Sequence, residues 1–284
     1  MDIPPNLTLP FFSYGLFQPR QIGFKDLRPY VQSCDKHWSI AGCLLGRDGL
    51  PVLMEGTERV SGTVIHFRSG DEEKAYRIII KIEPDELYRW DTAEAQNGPE
   101  CQKVNVFAGL KVKRGTHPLE TETWNGREEP LFSAALEVIT KTLNKNRKFN
   151  WNLKPLFRLQ MAYLLLWSAI ERFASFKYHL GDKAVEKVFG IADEPEFVKA
   201  LQELVTEPRT VYRSDKPENK VTLDPNIPKK ALAYYYQVRS NITHRGKAAC
   251  GDHDTLVKSL EELLEIFNRI LNAEFDSEWF GVNR

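Results

Sequence analysis

The chain reads as a two-domain α+β protein, a small mixed β-barrel or heavily curved sheet followed by an all-α up-and-down helical bundle. Three observations predict this. Up to about Leu119, short apolar runs bounded by turn residues dominate, several of them alternating with polar residues as half-buried strands do. From Leu131 onward apolar residues recur every three or four positions, the period of amphipathic helices. Between the two, Pro118–Pro130 is polar and turn-rich, with Glu120, Glu122, Asn125-Gly126, Glu128 and Glu129. The expected division is a β-rich domain over 1–119, a linker over 120–130 and a bundle over 131–284.

In the first domain Leu9–Tyr14 predicts a short strand ending in Tyr14-Gly15. Trp38–Leu45 predicts a second, closed by Gly46-Arg47-Asp48-Gly49. Val60–Phe67 alternates and stops at Ser69-Gly70-Asp71; the Ile-rich Ala75–Ile82 and the alternating Val104–Val112 complete the expected strands. Glu83–Asp91, with Pro84 near its start, predicts a short helix.

In the second domain Phe132, Leu136, Ile139 and Leu143 form one helical face. Pro155 opens a long helix reaching about Tyr178, apolar on most sides and so expected at the centre of the bundle. Asp182–Phe189 is a short helix stopped by Gly190, and Pro195–Val205 another. Pro208–Asn226 reads as polar and irregular, and Pro228 starts the helix that runs into Arg239 and His244. Asp252 or Asp254 caps the last helix, whose stripe is Leu256, Leu260, Leu263, Leu264, Phe267, Ile270 and Leu271.

Composition narrows the function classes. The 284 residues carry 39 Lys+Arg against 39 Asp+Glu, so any nucleic-acid contact must come from a local patch. The longest apolar run, Ala162–Trp167, is too short to span a bilayer, and the first residues lack the pattern of a secretory signal. Cys34, Cys43, Cys101 and Cys250 are scattered, which fits reduced thiols in a cytoplasmic protein. The sequons at Asn6 and Asn241 are then chance matches. There is no glycine-rich nucleotide loop, no G-x-S-x-G and no zinc spacing. His253 with Asp252 and Asp254 lacks a third ligand at helical spacing, so neither a metal nor another cofactor is expected.

The stretch Tyr236-Gln237-Val238-Arg239-Ser240-Asn241-Ile242-Thr243-His244-Arg245-Gly246-Lys247 carries the sharpest chemistry. Histidine moves protons near neutral pH, and arginine holds charge on a phosphoryl oxygen. Spacing alone is cheap, because Arg59…His66 and Arg172…His179 match a loose Arg…His pattern too. Arg239 differs in being followed by polar Ser240 and Asn241, with Gly246 just after His244. Residues five apart lie about 140° apart round an ideal helix, so Arg239 and His244 meet only across a broken helix or between two copies. Of the consecutive Tyr234, Tyr235 and Tyr236, not all can face one way.

This stretch, with the helix order around it, resembles the HEPN domain, a bundle found in many prokaryotic RNases and toxins. The resemblance covers roughly Leu131–Phe275. It implies a metal-independent endoribonuclease, toxin-like or used in antiviral defence, acting on single-stranded RNA or tRNA at a homodimer interface. Carried over, Arg239 stabilises the transition state, His244 transfers a proton involving the 2′-OH, and Glu171 orients the arginine. Ser240 or Asn241 would orient the phosphate, and Arg245 and Lys247 would attract RNA backbone.

The first domain resembles the γ-glutamylcyclotransferase-like proteins over about Leu9–Leu110. Phe12-Ser13-Tyr14-Gly15-Leu16-Phe17-Gln18-Pro19 matches their Tyr-Gly loop, and Leu87-Tyr88-Arg89-Trp90-Asp91-Thr92-Ala93-Glu94 their Asp-x-x-Glu segment. The resemblance implies Glu94 as acid/base, with backbone N–H groups of Tyr14, Gly15, Leu16 and Phe17 holding the substrate. Leu16, Arg20 and Ala95 depart from that family's usual small residues. Three readings follow: an RNase whose first domain senses a small molecule, meets an antitoxin or otherwise regulates; a γ-glutamyl-amine cyclotransferase dimerised by its bundle; or a binding module without catalysis.

Overall fold

The computed structural model describes residues 2–47, 49–82, 88–110, 116–119, 122–148, 153–178, 184–245 and 252–275, excluding the side chains of 82, 184, 185, 244 and 245. The chain divides into two compact units, one of Met1–Glu129 with Glu274–Arg284, the other of Pro130–Ala273.

The first unit is built on a closed ring of five strands: β1 (Phe11–Ser13), β2 (Val31–Arg47), β3 (Leu50–Phe67), β4 (Tyr88–Asn97) and β5 (Glu100–Gly109). The ring runs β3-β1-β5-β4-β2 and returns from β2 to β3, with β6 (His117–Pro118) added beside β2. The β1–β5 pairing is parallel and the others are antiparallel, so the barrel is mixed. Two long hairpins, β2–β3 and β4–β5, form most of the wall. They meet only at Ser39↔Gln96, the single β2–β4 pair among the described residues. β1 bridges their other edges, with Phe12 fully buried between Val64 and Val106. Tyr14 pins this closure: its hydroxyl donates to the Phe107 carbonyl at 2.8 Å and accepts from the Leu53 N–H at 3.3 Å.

Ala75–Ile82, expected as a strand, is instead the body of a helix. A short helix α1 (Phe24–Leu27) precedes it, and α2 spans Glu72–Ile82. The Ile-rich composition suggested a strand, but Ala75, Tyr76 and Ile79 recur at helical spacing and are fully buried. Glu72 and Glu73 occupy the first turn, and Arg77 pairs with Glu73 one turn back. Tyr76 sits edge-on to Phe67 and Trp90, each with its ring centre 5.2 Å away. Its hydroxyl donates to the Leu9 carbonyl and accepts from the Asn105 amide. Of the helix expected over Glu83–Asp91, 83–87 lie outside the described residues. Tyr88–Asp91 opens β4, pairing with Gly109 through Val106.

The segment expected as a linker is folded back on the barrel where it is described. Ser61 N–H bonds the Glu122 carbonyl, Trp124 donates its indole N–H to Gly49, and the Gly126 N–H bonds Gln21. Positions 120 and 121 lie outside the described residues.

The second unit is helical, with α3 (Ala134–Asn146), α4 (Leu153–Tyr178), α5 (Ala184–Gly190), α6 (Pro195–Leu204), α7 (Pro228–Arg245) and α8 (His253–Phe275). The α3 and α8 stripes read from sequence are buried throughout. Phe132, Phe173 and Phe267 pack mutually edge-on at the centre. The expectation of an all-α unit needs one correction. Pro208–Asn226, whose polar composition predicts irregular chain, contains a hairpin of β7 (Arg209–Arg213) and β8 (Lys216–Leu223). Its many polar residues hid a clean alternation, in which Val211 and Leu223 turn inward and Thr210, Tyr212, Lys220 and Thr222 stay exposed.

Candidate functional site

α7 brings Arg239 to α4. The guanidinium Nη2 donates to Glu171 Oε1 at 3.2 Å and stacks over the Tyr236 ring, 5.5 Å from its centre. Tyr236 in turn leans edge-on against Trp167, with Phe189 at 6.1 Å. This wall of rings leaves Arg239 only 23 % exposed, and its Nε is buried with no hydrogen-bond partner. A buried guanidinium N–H aimed at nothing costs free energy unless a ligand or water meets it. The arrangement holds the guanidinium between the Glu171 carboxylate and the Tyr236 ring. The three tyrosines divide as their spacing requires: Tyr234 and Tyr235 are core, and Tyr236 is the platform under Arg239.

α7 is continuous through Arg245, so positions 239 and 244 keep the offset of about 140° expected of a straight helix. The side chains of His244 and Arg245, and the whole of Lys247, lie outside the described residues. Ser240 and Arg239 both offer their carbonyls to the Thr243 hydroxyl, at 3.4 and 3.0 Å.

Asn241 has a different set of partners from the phosphate contact anticipated for it. It is 4 % exposed. Its amide nitrogen donates to the Tyr212 carbonyl at 2.9 Å, and its oxygen accepts from Ser214 N–H and the Gln237 amide. These bonds tie the β7–β8 hairpin to α7. A second tie holds the hairpin's base, where Arg209 pairs with Glu262, which also accepts from the Tyr235 hydroxyl at 2.9 Å. Sequence reading missed both ties; the Thr210/Tyr212 against Val211/Val221 alternation was the signal available.

The other Arg…His pairs have separate settings. Arg59 and His66 lie on β3, where His66 Nε2 is 3.1 Å from Asp35. Arg172 lies over the Phe176 ring, and His179 is outside the described residues. His253 is buried, with its ring nitrogens near Asp254 and the Asn146 carbonyl.

In the barrel unit Glu94 is exposed on β4 opposite Lys103 and lines a surface groove with Ser39, Glu58, Arg59 and Gln96. Tyr14, Gly15, Leu16 and Phe17 line another cavity, with Ser13 and Phe107, of about 20 Å³, room for about one water. Glu94 is not among its lining residues. Tyr14, Leu16 and Phe17 are themselves buried, so the loop is packed with its own side chains. Gly15 is needed there because a Cβ would meet Pro51 Cγ at 2.7 Å. Arg20, where glycine is common in the resembled family, takes a glycine-like φ of 71°.

No helix among the described residues is long and apolar enough to cross a membrane. No family model, curated protein or solved structure matches this chain.

Proposed function

We propose that this protein is a HEPN-type endoribonuclease acting through Arg239 and His244, with a γ-glutamylcyclotransferase-like barrel as its sensing or regulatory domain. The observation that carries the reading is the Arg239–Glu171 ion pair on a helical bundle. Two residues far apart in sequence, singled out for one another by motif and helix order, are in contact. In the reaction the RNA 2′-oxygen attacks phosphorus, His244 moves the proton, and the 5′-oxygen leaves. The products are a 2′,3′-cyclic phosphate and a 5′-hydroxyl, and DNA is not cleaved. Arg239 stabilises the charge gathering on the non-bridging oxygens.

The continuous α7 favours a second copy as the source of the partner group. An apolar stripe on α4 supports a homodimer: Leu153, Phe157 and Met161, at successive turns, are 41, 46 and 70 % exposed. The glycine-like φ of Arg20 and the closed mixed barrel support the cyclotransferase-like reading of the first unit. Catalysis there is not supported in the same way, because Glu94 and the Tyr14–Phe17 loop line different cavities. A regulatory barrel suits a toxin-like or antiviral enzyme held in check by an antitoxin or a small-molecule ligand.

The test is incubation of purified protein with total tRNA and mRNA in EDTA, with end-group analysis of the products. Cleavage to cyclic phosphate ends is expected, falling about 10²-fold or more in His244→Ala. No cleavage by wild type, or equal cleavage by His244→Ala, overturns the reading.

A further inference from the structure

The geometry points to the β7–β8 hairpin as the arm that holds single-stranded RNA beside the α7 motif, an inference that rests on the nuclease reading above. The hairpin is built as a fixed platform. The Arg209–Glu262 pair clamps its base, and Asn241 clamps Tyr212 and Ser214 near its turn. Committing a largely buried carboxylate and a buried amide to a fifteen-residue excursion, Arg209–Leu223, restricts its motion and fixes what its outer face presents.

That face carries Tyr212, 42 % exposed, directly across the ladder from exposed Lys220, flanked by the exposed Thr210–Thr222 pair. An aromatic ring beside a lysine is the combination on which single-stranded nucleic acid settles: bases stack on the ring and phosphates lie along the cation. Lys216, also exposed, extends the positive charge toward the turn, against Glu218 on the same strand. Arg213 is already paired with Asp215, so Lys216 and Lys220 carry the interaction.

Position round α7 fits this role. Position 244 lies about 60° from Asn241 and position 239 about 160° from it, at 100° per residue. Asn241 ties the turn end of the hairpin to α7, so the hairpin is anchored on the side of the helix nearer position 244 than position 239. Asn241 serves here as a positioning residue, holding the arm rather than the phosphate.

The experiment uses the full chain and an unstructured RNA of about twelve nucleotides, fully 2′-O-methylated so that it cannot be cleaved. Fluorescence anisotropy at several salt concentrations gives Kd and its salt slope. Tyr212→Ala is expected to weaken binding about tenfold, while Tyr212→Phe, which keeps the ring, binds as wild type does. Lys220→Ala is expected to flatten the log Kd against log salt slope by about 0.7, the contribution of one phosphate contact on a single strand. A merely structural role for the pair leaves that slope unchanged. No binding by wild type overturns the arm, as does unchanged binding in Tyr212→Ala and Lys220→Ala, or equal losses in Tyr212→Ala and Tyr212→Phe. Cleavage of the unmethylated oligonucleotide is scored separately. Hairpin-dependent binding without cleavage upholds the arm and overturns the nuclease reading. Cleavage with binding indifferent to both substitutions does the reverse.

Discussion

Removing the Glu262 carboxylate should cost the helical unit about 3 kcal/mol. Glu262 is 12 % exposed and Arg209 21 %, so the pair is largely withdrawn from water. Arg209 has a buried Nε and, besides Glu262, lies against Tyr234, which offers it both a ring face and a hydroxyl. In Glu262→Ala the guanidinium loses its counter-charge, and the Tyr235 hydroxyl loses its acceptor. Breaking a buried pair from one side costs about 3–5 kcal/mol, and the fifth of Arg209 still in water places this case at the lower end. Arg209→Met should cost a similar amount, because it strands the carboxylate instead. The double variant Arg209→Met/Glu262→Leu should also cost only about 3 kcal/mol: about 1–2 for the orphaned Tyr235 hydroxyl and the rest for repacking. The cycle then gives a coupling near 3 kcal/mol. Urea unfolding followed by helical circular dichroism reads this out, each single variant lowering the midpoint by about 1.5 M at an m-value near 2 kcal/mol/M. A single-variant cost below about 1 kcal/mol, or a double equal to the sum of the singles, refutes the reasoning.

Two further outcomes follow from buried titrating groups. Burial raises the pKa of Tyr76, Tyr163 and Tyr235 in the folded protein, with Glu262 adding to the effect at Tyr235. Their contribution is fully present below the unfolded value near 10 and is lost as pH climbs above it, by up to about 1.4 kcal/mol per unit for each phenol. Urea midpoints measured from pH 9 to 11.5 should fall above 10, less steeply in Tyr163→Phe; a flat profile refutes this. The Cys34 thiol is pushed up to about 12 by burial and by Asp35 beside it, whereas Cys101 is exposed. Iodoacetamide at pH 8 should therefore modify Cys101 much faster than Cys34 by peptide mass mapping, and equal rates count against the assignment.

The helices of the second unit were legible in sequence because they bury stripes at helical spacing, and α4, α6 and α7 carry a proline in the first turn. α8 is the clearest case: all seven apolar positions read from it are buried. Where composition competed with periodicity, composition misled. Three consecutive isoleucines in Ala75–Ile82 argued for a strand, yet Tyr76 and Ile79 must reach one buried face together, and only a helix allows it. The β7–β8 hairpin failed for the opposite reason. Its outer face is so polar that the two inward residues, Val211 and Leu223, did not register as a pattern. Glu171 could be matched to Arg239 from motif and helix order. The Tyr236 platform and the role of Asn241 could not, since both depend on which way α7 is turned against its neighbours. Nor could the chain order disclose that Glu94 and the Tyr14 loop would line different hollows, because strand register decides that.

The closed ring of five strands also sets a timetable for synthesis. β1 is made first, but its neighbours on both sides are made later; the Tyr14 hydroxyl bonds a carbonyl 93 residues downstream. Until β5 has emerged, Phe11 and Phe12 lack one of the two strands between which they finally lie. Closing so long a loop adds little to the entropy cost, which grows only with the logarithm of length, but it makes the step non-local and slow. The first-made of the five strands is thus among the last to be seated on both sides, its β3 edge covered well before its β5 edge.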